Sequence, residues 1–144
     1  MRYTTVLVVD DSVTIRAMLE VLLEQDPFLR VVGIASNAQE TFKLIKETDP
    51  DVITLDVMMP GMDGMAVLDR IMRKEPRPVI MVSSLLREGS DLRDLATERG
   101  AAACFNKNRI VAQAEEFIQT IKDVAYQRGS RPDIPRRPLS AIGR

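Results

Sequence analysis

The sequence predicts an α/β protein in which five parallel strands carry five helices on both faces of a doubly wound sheet. Three observations lead there. Short, β-branched apolar runs alternate five times with segments whose apolar residues recur at helical spacing. Breakers divide the segments, among them Asp26-Pro27, Asp49-Pro50 and Glu75-Pro-Arg-Pro78. Repeated strand–helix–strand units close with right-handed crossovers, which leaves a doubly wound sheet as the natural arrangement.

Taken in order, Thr4 to Val9 is the first strand and ends on two acids, Asp10 and Asp11. Ser12 is placed to cap a helix whose inward face carries Ile15, Met18, Leu19, Leu22 and Leu23, and which stops near Asp26-Pro27. Leu29 to Ala35 reads as the second strand, and Ser36 or Asn37 caps a second helix with Phe42 and Ile45 on its apolar side. Val52 to Leu55 is a strand buried on both faces, with Asp56 at its tip and a loop holding Pro60, Gly61 and Gly64 beyond it. A third helix from about Asp63 turns Val67, Leu68, Ile71 and Met72 inward. Val79 to Val82 is the fourth strand and runs into Ser83-Ser84; a helix from about Ser90 to Arg99 follows, with Gly100 as its stop. Ala101 to Asn106 is a fifth strand, followed by Lys107, and the last helix runs from Ile110 to about Tyr126. Residues 1–127 thus read as one domain. Residues 128–144, rich in Arg and Pro and without periodicity, read as a disordered tail or a linker.

Composition narrows the function. The chain has 144 residues, 45% hydrophobic and 28% charged, and a net charge of −1, which argues against nucleic acid or an anionic membrane as a bulk electrostatic partner. The balance is uneven: the segment from Gln127 onward holds five arginines against Asp133 alone, and the remainder has 15 basic against 20 acidic residues. The first apolar run, Val6 to Val9, is too short for a signal peptide or a membrane span, and a cytoplasmic protein is the expectation. With one cysteine, Cys104, there is no internal disulfide and no Cys metal cluster. The absence of histidine removes Ser-His-Asp and Cys-His catalysis, His-ligated zinc and a histidine phosphodonor role.

In a parallel sheet all strand C-termini open on one edge, where ligands bind. At that edge the sequence places Asp10 and Asp11, Asp56, Ser83 and Lys107, on strands whose neighbours lie only about 5 Å apart. Each alone has a plain explanation as a cap or a solvated charge. Together they describe a reaction site. Three carboxylates in one crevice repel, on the order of 4 kcal/mol per close pair at an effective dielectric near 20, and a hard divalent cation resolves this. An all-oxygen donor set suits Mg²⁺ over zinc. An aspartate is ionised at neutral pH and needs no base to attack phosphorus, so Asp56 is placed as the nucleophile toward a phosphoryl group. Mg²⁺, the Lys107 ammonium and the Ser83 hydroxyl would then each take one phosphoryl oxygen.

Val-Val-Asp-Asp-Ser at 8–12, Leu-Asp-Val-Met-Met-Pro-Gly-Met-Asp-Gly at 55–64, Val-Ser-Ser at 82–84 and Lys107 resemble the receiver domain of two-component response regulators, the CheY-like, flavodoxin-like fold, over about residues 4 to 126. Within that family the motifs look most like the receiver of the chemotaxis methylesterase (CheB-like) group. The resemblance implies strand order 2-1-3-4-5, Asp56 as phosphoacceptor, and Mg²⁺ held by Asp10, Asp11, Asp56 and the Met58 carbonyl. It further implies Ser83 as the hydroxyl switch and Lys107 as the phosphate-pairing lysine. The implied partners are a sensor histidine kinase or histidine phosphotransfer protein, and a downstream target met by the fourth helix, fifth strand and fifth helix. The helix carrying Phe117, Ile118 and Ile121 serves the core or, alternatively, a homodimer.

Two positions depart from the family. Its lysine is usually followed by a cis proline, where this chain has Asn108; either a strained cis bond or a reshaped loop must result. Its aromatic switch position is here Cys104, and strand alternation turns the adjacent Phe105 to the opposite face. The chain reads as a signalling module with only self-phosphorylation and slow self-dephosphorylation, not as a metabolic enzyme. The alternatives are a receiver-like adaptor that is not phosphorylated, or an aspartate-nucleophile phosphatase. The latter needs a second Asp two residues after the nucleophile, where Met58 stands. A Rossmann nucleotide site would need a Gly-rich loop where Asp10-Asp11 stands.

Overall fold

Five strands, β1 (Thr4–Val9), β2 (Leu29–Ala35), β3 (Val52–Leu55), β4 (Val79–Ser83) and β5 (Ala103–Asn106), make one sheet in the order β2-β1-β3-β4-β5. Every pairing is parallel. The structure, a computed structural model, describes residues 3–59, 61 and 63–129. The helices are α1 (Val13–Glu24), α2 (Ala38–Thr48), α3 (Gly64–Lys74), α4 (Asp91–Glu98) and α5 (Ala114–Gly129). The doubly wound order expected from the sequence is the one present. The stretch expected to form a tail lies, from residue 130 on, outside the described residues, as do Pro60 and Met62 of the loop after β3.

Strand alternation divides the core in two. Leu7, Val9, Ile53, Leu55, Val79 and Met81 turn to one face, where they meet Ile45, Val67, Leu68 and Ile71. Val6, Val8, Val52, Ile80, Val82 and Phe105 turn to the other, against Leu19, Leu23, Phe117 and Ile121. The sheet centre therefore reads as continuous apolar runs because both faces are covered.

The caps follow from short polar side chains. Ser12 Oγ accepts from the Ile15 N–H, Asn37 Oδ1 from Glu40, Asp63 Oδ1 from Ala66 and Ser90 Oγ from Arg93. At α2 both candidates take part. Asn37 caps, while the Ser36 N–H and hydroxyl both donate to the Glu40 carboxylate, a reciprocal arrangement that draws Glu40 below its ordinary pKa.

Several boundaries differ from the sequence expectation, among them the end of the last helix, which runs to Gly129 and past Tyr126, and the end of the fourth strand, which takes in Ser83. The fifth strand begins at Ala103, not Ala101. The fourth helix is Asp91–Glu98, because Ser90 and Arg99 serve as its caps. The last helix begins at Ala114 instead of Ile110. A 3₁₀ turn over Lys107–Arg109 and further turns to residue 113 intervene, and Ile110, fully buried, plugs the core from that loop. Its inward position mimics the first apolar residue of a helix, which is why periodicity alone starts α5 too early. Among the described residues no helix is long and apolar enough to cross a membrane.

At the end of α1, Lys122 on α5 donates to Asp26 Oδ2 at 2.7 Å. Burial alone would raise the Asp26 carboxyl, but the Lys122 ammonium and the Phe28 N–H outweigh it and hold its pKa below the ordinary value. Such a group stabilises the fold above its unfolded-state pKa, and that contribution disappears as pH falls through the lower folded-state value. Asp26→Asn should therefore cost about 1 kcal/mol at pH 7 in urea denaturation. The gap to the parent should close below about pH 4.

Candidate functional site

Asp10 and Asp56 leave the ends of β1 and β3, adjacent strands whose registers pair Val9 with Leu55. Each continues its strand's hydrogen bonding: the Asp10 N–H donates to the Ala35 carbonyl and the Asp56 N–H to the Val9 carbonyl, both at 3.0 Å. The two carboxylates are thus fixed by the sheet itself, and both residues are buried.

Lys107 reaches them from the far side. It follows β5, with β4 lying between it and β3, so only a long side chain can span the distance. Its Nζ lies 2.7 Å from Asp10 Oδ2 and 2.9 Å from Asp56 Oδ2. Burial by itself would lower the ammonium's pKa, yet its hydrogen bonds to the two carboxylates prevail and raise it. Asp10 moves up from its ordinary value because burial outweighs the Lys107 and Ser12 hydrogen bonds, with the Asp56 charge adding to the rise.

The remaining oxygens have donors too. Asp10 Oδ1 accepts from the Ser12 N–H at 2.8 Å, and Asp56 Oδ1 from the Met58 N–H at 3.3 Å. Asp11 is exposed, and one oxygen from each of Asp10, Asp11 and Asp56 falls within a 4.8 Å cluster. Three carboxylates against one ammonium leave two negative charges uncompensated among oxygen donors. The residues present therefore fit a hard divalent cation.

Ser83 ends β4, whose Met81 pairs with Leu55, so its side chain leaves the sheet at the same edge as Asp56. It is buried, its Oγ accepts from the Leu85 N–H at 3.2 Å, and among the described residues no acceptor takes the hydroxyl proton, which can therefore donate. Met58 stands at the rim with its side chain exposed; its N–H is turned to Asp56.

The two departures noted in the sequence resolve as follows. Among the described residues no peptide bond is cis, so the loop is reshaped: Asn106 Oδ1 accepts from the Asn108 N–H and starts the 3₁₀ turn. Phe105 faces the α5 side, its ring 5.1 Å from that of Phe117 in an edge-to-face pair. Cys104 packs on the opposite face, with its thiol pushed up in pKa by burial.

Sequence reading missed Arg16 and Arg93, and it placed Gly64 in the loop beyond Asp56 without the close approach found there. Arg16 donates from Nη1 to the Asp10 carbonyl at 2.8 Å. Its position four residues after the Ser12 cap was the available signal, since helical side chains lean toward the N-terminus. Gly64 lies so close to the loop that an added Cβ would overlap the Asp56 carbonyl oxygen, while its N–H donates to the Val57 carbonyl at 2.5 Å. Arg93 joins α4 to β5, at a distance from the acids that no local motif announces.

With this geometry in view, comparisons place the chain among known proteins. The response regulator receiver domain family matches residues 6–122. Protein-glutamate methylesterase/protein-glutamine glutaminase 2 of Pseudomonas aeruginosa is 45% identical over 145 residues, covering 95% of this chain and 42% of its own length. The protein-glutamate methylesterase/protein-glutamine glutaminase of Agrobacterium fabrum is 51% identical over 102 residues, covering 71% of this chain and 29% of its own. The chain thus spans less than half the length of these relatives. The crystal structure of the response regulator domain of Thermotoga maritima CheB superposes with a TM-score of 0.82 at 36% identity, over 87% of this chain and 98% of that one.

Two variants test the architecture of the site. Gly64→Ala should lose about 3 kcal/mol in denaturant unfolding, since the obstructing atom is backbone. Lys107→Ala leaves buried carboxylates without their cation and should cost about 3 kcal/mol when unfolding is followed in a chelator.

Proposed function

The chain belongs to the response regulator receiver domain family, and from that membership we propose that it is a phosphorylation-controlled binding module whose phosphoacceptor is Asp56. One observation carries the reading: a buried carboxylate at a strand tip has one oxygen on a lysine and two further carboxylates within reach of a shared cation. A fold-stabilising ion pair needs no such excess of negative charge.

In the reaction a lone pair on an Asp56 oxygen attacks the phosphorus of a phosphohistidine. The new O–P bond forms as the P–N bond breaks, and the bonding pair goes to the imidazole, which carries a proton on its other nitrogen and leaves neutral. Lys107 is already on Asp56 Oδ2 and can follow the growing charge onto a phosphoryl oxygen, while the Ser83 hydroxyl supplies its free proton to another. Asp10, Asp11, Asp56 and the Met58 carbonyl would hold Mg²⁺, which when bound supplies positive charge to the phosphoryl oxygens. Hydrolysis reverses the state: water attacks phosphorus, the O–P bond breaks, and the Asp56 carboxylate, inorganic phosphate and a proton result.

The donor is a histidine kinase or a histidine phosphotransfer protein. In support, the segments that follow β1, β3 and β5 each carry an exposed apolar side chain. Val13 is 71% exposed, Met58 60% and Val111 67%, a rim suited to a protein surface more than to a small molecule. We place the module in the cytoplasm and in chemotaxis-type signalling, by its likeness to the methylesterase receivers. Its output passes through the α4–β5–α5 face to a protein target. Residues 1–127 act as the receiver, and 128–144 as a tail or linker. The chain itself does no turnover beyond gaining and slowly losing its phosphoryl group.

Acetyl phosphate with Mg²⁺ should add one phosphoryl group, seen by intact mass, and chelation should prevent it. Asp56→Asn should abolish the adduct, and Ser83→Ala should slow its formation on the order of 10²-fold. A phosphorylated Asp56→Asn protein would refute the assignment.

A further inference from the structure

The rim and the output face need a connection, and the ring that the family uses for it is missing at Cys104. The chain places an arginine there instead. Arg93, in the first turn of α4, donates from Nη1 to the Cys104 carbonyl on β5 at 2.8 Å and from Nη2 to the Leu86 carbonyl at 3.2 Å. Its own carbonyl faces the Cys104 thiol at 4.0 Å. One guanidinium thus ties three segments together: the loop after β4, the start of α4 and the edge strand β5.

The loop leads directly back to the site. Leu85 and Leu86 both hang on Ser83, the Leu85 N–H on its hydroxyl oxygen and the Leu86 N–H on its carbonyl, each at 3.2 Å. Ser83 Oγ belongs to the turn whose last residue offers its carbonyl to Arg93, so a displacement of the Ser83 side chain toward a phosphoryl oxygen would be felt in that turn. Leu86 is completely buried, so the turn cannot yield without moving its neighbours.

Arg93 is equipped to respond. Its Nε is buried and, among the described residues, has no hydrogen-bond partner. An unsatisfied buried donor of this kind calls for an explanation. Here it is a third donor on a rigid fork, able to take up an acceptor when another is given up. The two bonds present are also unequal, the longer one on the Leu86 side that leads to Ser83.

We propose that Arg93 is the positioning residue that couples Ser83 to the α4–β5 output face, with a forked pair of carbonyl hydrogen bonds in place of a rotating aromatic ring. The proposal rests on the phosphoacceptor reading of Asp56. A change at Ser83 moves the Leu86 carbonyl, the guanidinium shifts between its acceptors, and α4 and β5 change their relative setting at Cys104. Lysine cannot replace it, since a single ammonium lacks the planar fork that spans two carbonyls.

The test follows backbone amide resonances of the full chain as beryllofluoride and Mg²⁺ are added, in the parent, Arg93→Ala and Arg93→Lys. Amides flanking Asp56 should shift in all three proteins. The shifts at Cys104 and Phe105 should appear in the parent, be lost in Arg93→Ala and be reduced in Arg93→Lys. A purely structural role would lower the melting temperature yet leave the Cys104 and Phe105 response to the ligand intact, and that result overturns the proposal. Should Arg93→Ala not fold, Arg93→Lys decides alone: an undiminished Cys104 response overturns the proposal, a diminished one supports it. If the amides flanking Asp56 stay still in the parent, the phosphoacceptor reading falls and the coupling falls with it. If they shift in the parent while Cys104 and Phe105 do not, only the coupling is overturned.

Discussion

The Lys107 ammonium, shared between Asp10 and Asp56 at under 3 Å from each, is the interaction on which the rest of the edge depends. Two buried carboxylates on adjacent strands would repel each other on the order of 4 kcal/mol at an effective dielectric of about 20. Adding Asp11 makes the cluster worse. One cation reaching over the end of β4 lowers that repulsion without abolishing it, and the charge left over is what makes the crevice attractive to a divalent cation. Burying an ion pair is a poor way to stabilise a fold, because desolvation consumes much of the Coulombic gain. Such a cluster is better understood as a poised site than as a staple.

The backbone around the cluster is correspondingly constrained. Asp10 is held at its N–H by β2, at its carbonyl by Arg16, and at its carboxylate by Ser12 and Lys107. Asp56 is held by Val9, Met58 and Lys107, and the loop beyond it is pressed so close that only glycine fits at 64. Ser83 organises a short turn, and Arg93 ties the last residue of that turn to β5. The molecule thus sets a firmly held carboxylate, Asp56, beside the short turn at Ser83, a division that suits a two-state response.

Much of this was legible in the chain. The alternation of β-branched runs with 3.6-residue periodicity specified all five strands and five helices, and the polarity of a parallel sheet then assigned Asp10, Asp11, Asp56, Ser83 and Lys107 to one edge without any contact being known. Strand alternation likewise separated Phe105 from Cys104. These features follow from local pattern, and local pattern is written residue by residue. The details that escaped it share a different cause. Whether Lys107 meets one carboxylate or two, how the chain passes Asn108, and why Ile110 is buried before α5 begins all depend on distances between segments far apart in sequence. So does the grip of Arg93 on Leu86 and Cys104. Those distances are set by strand order, sheet twist and the reach of individual side chains, and they exist only once the sheet has assembled.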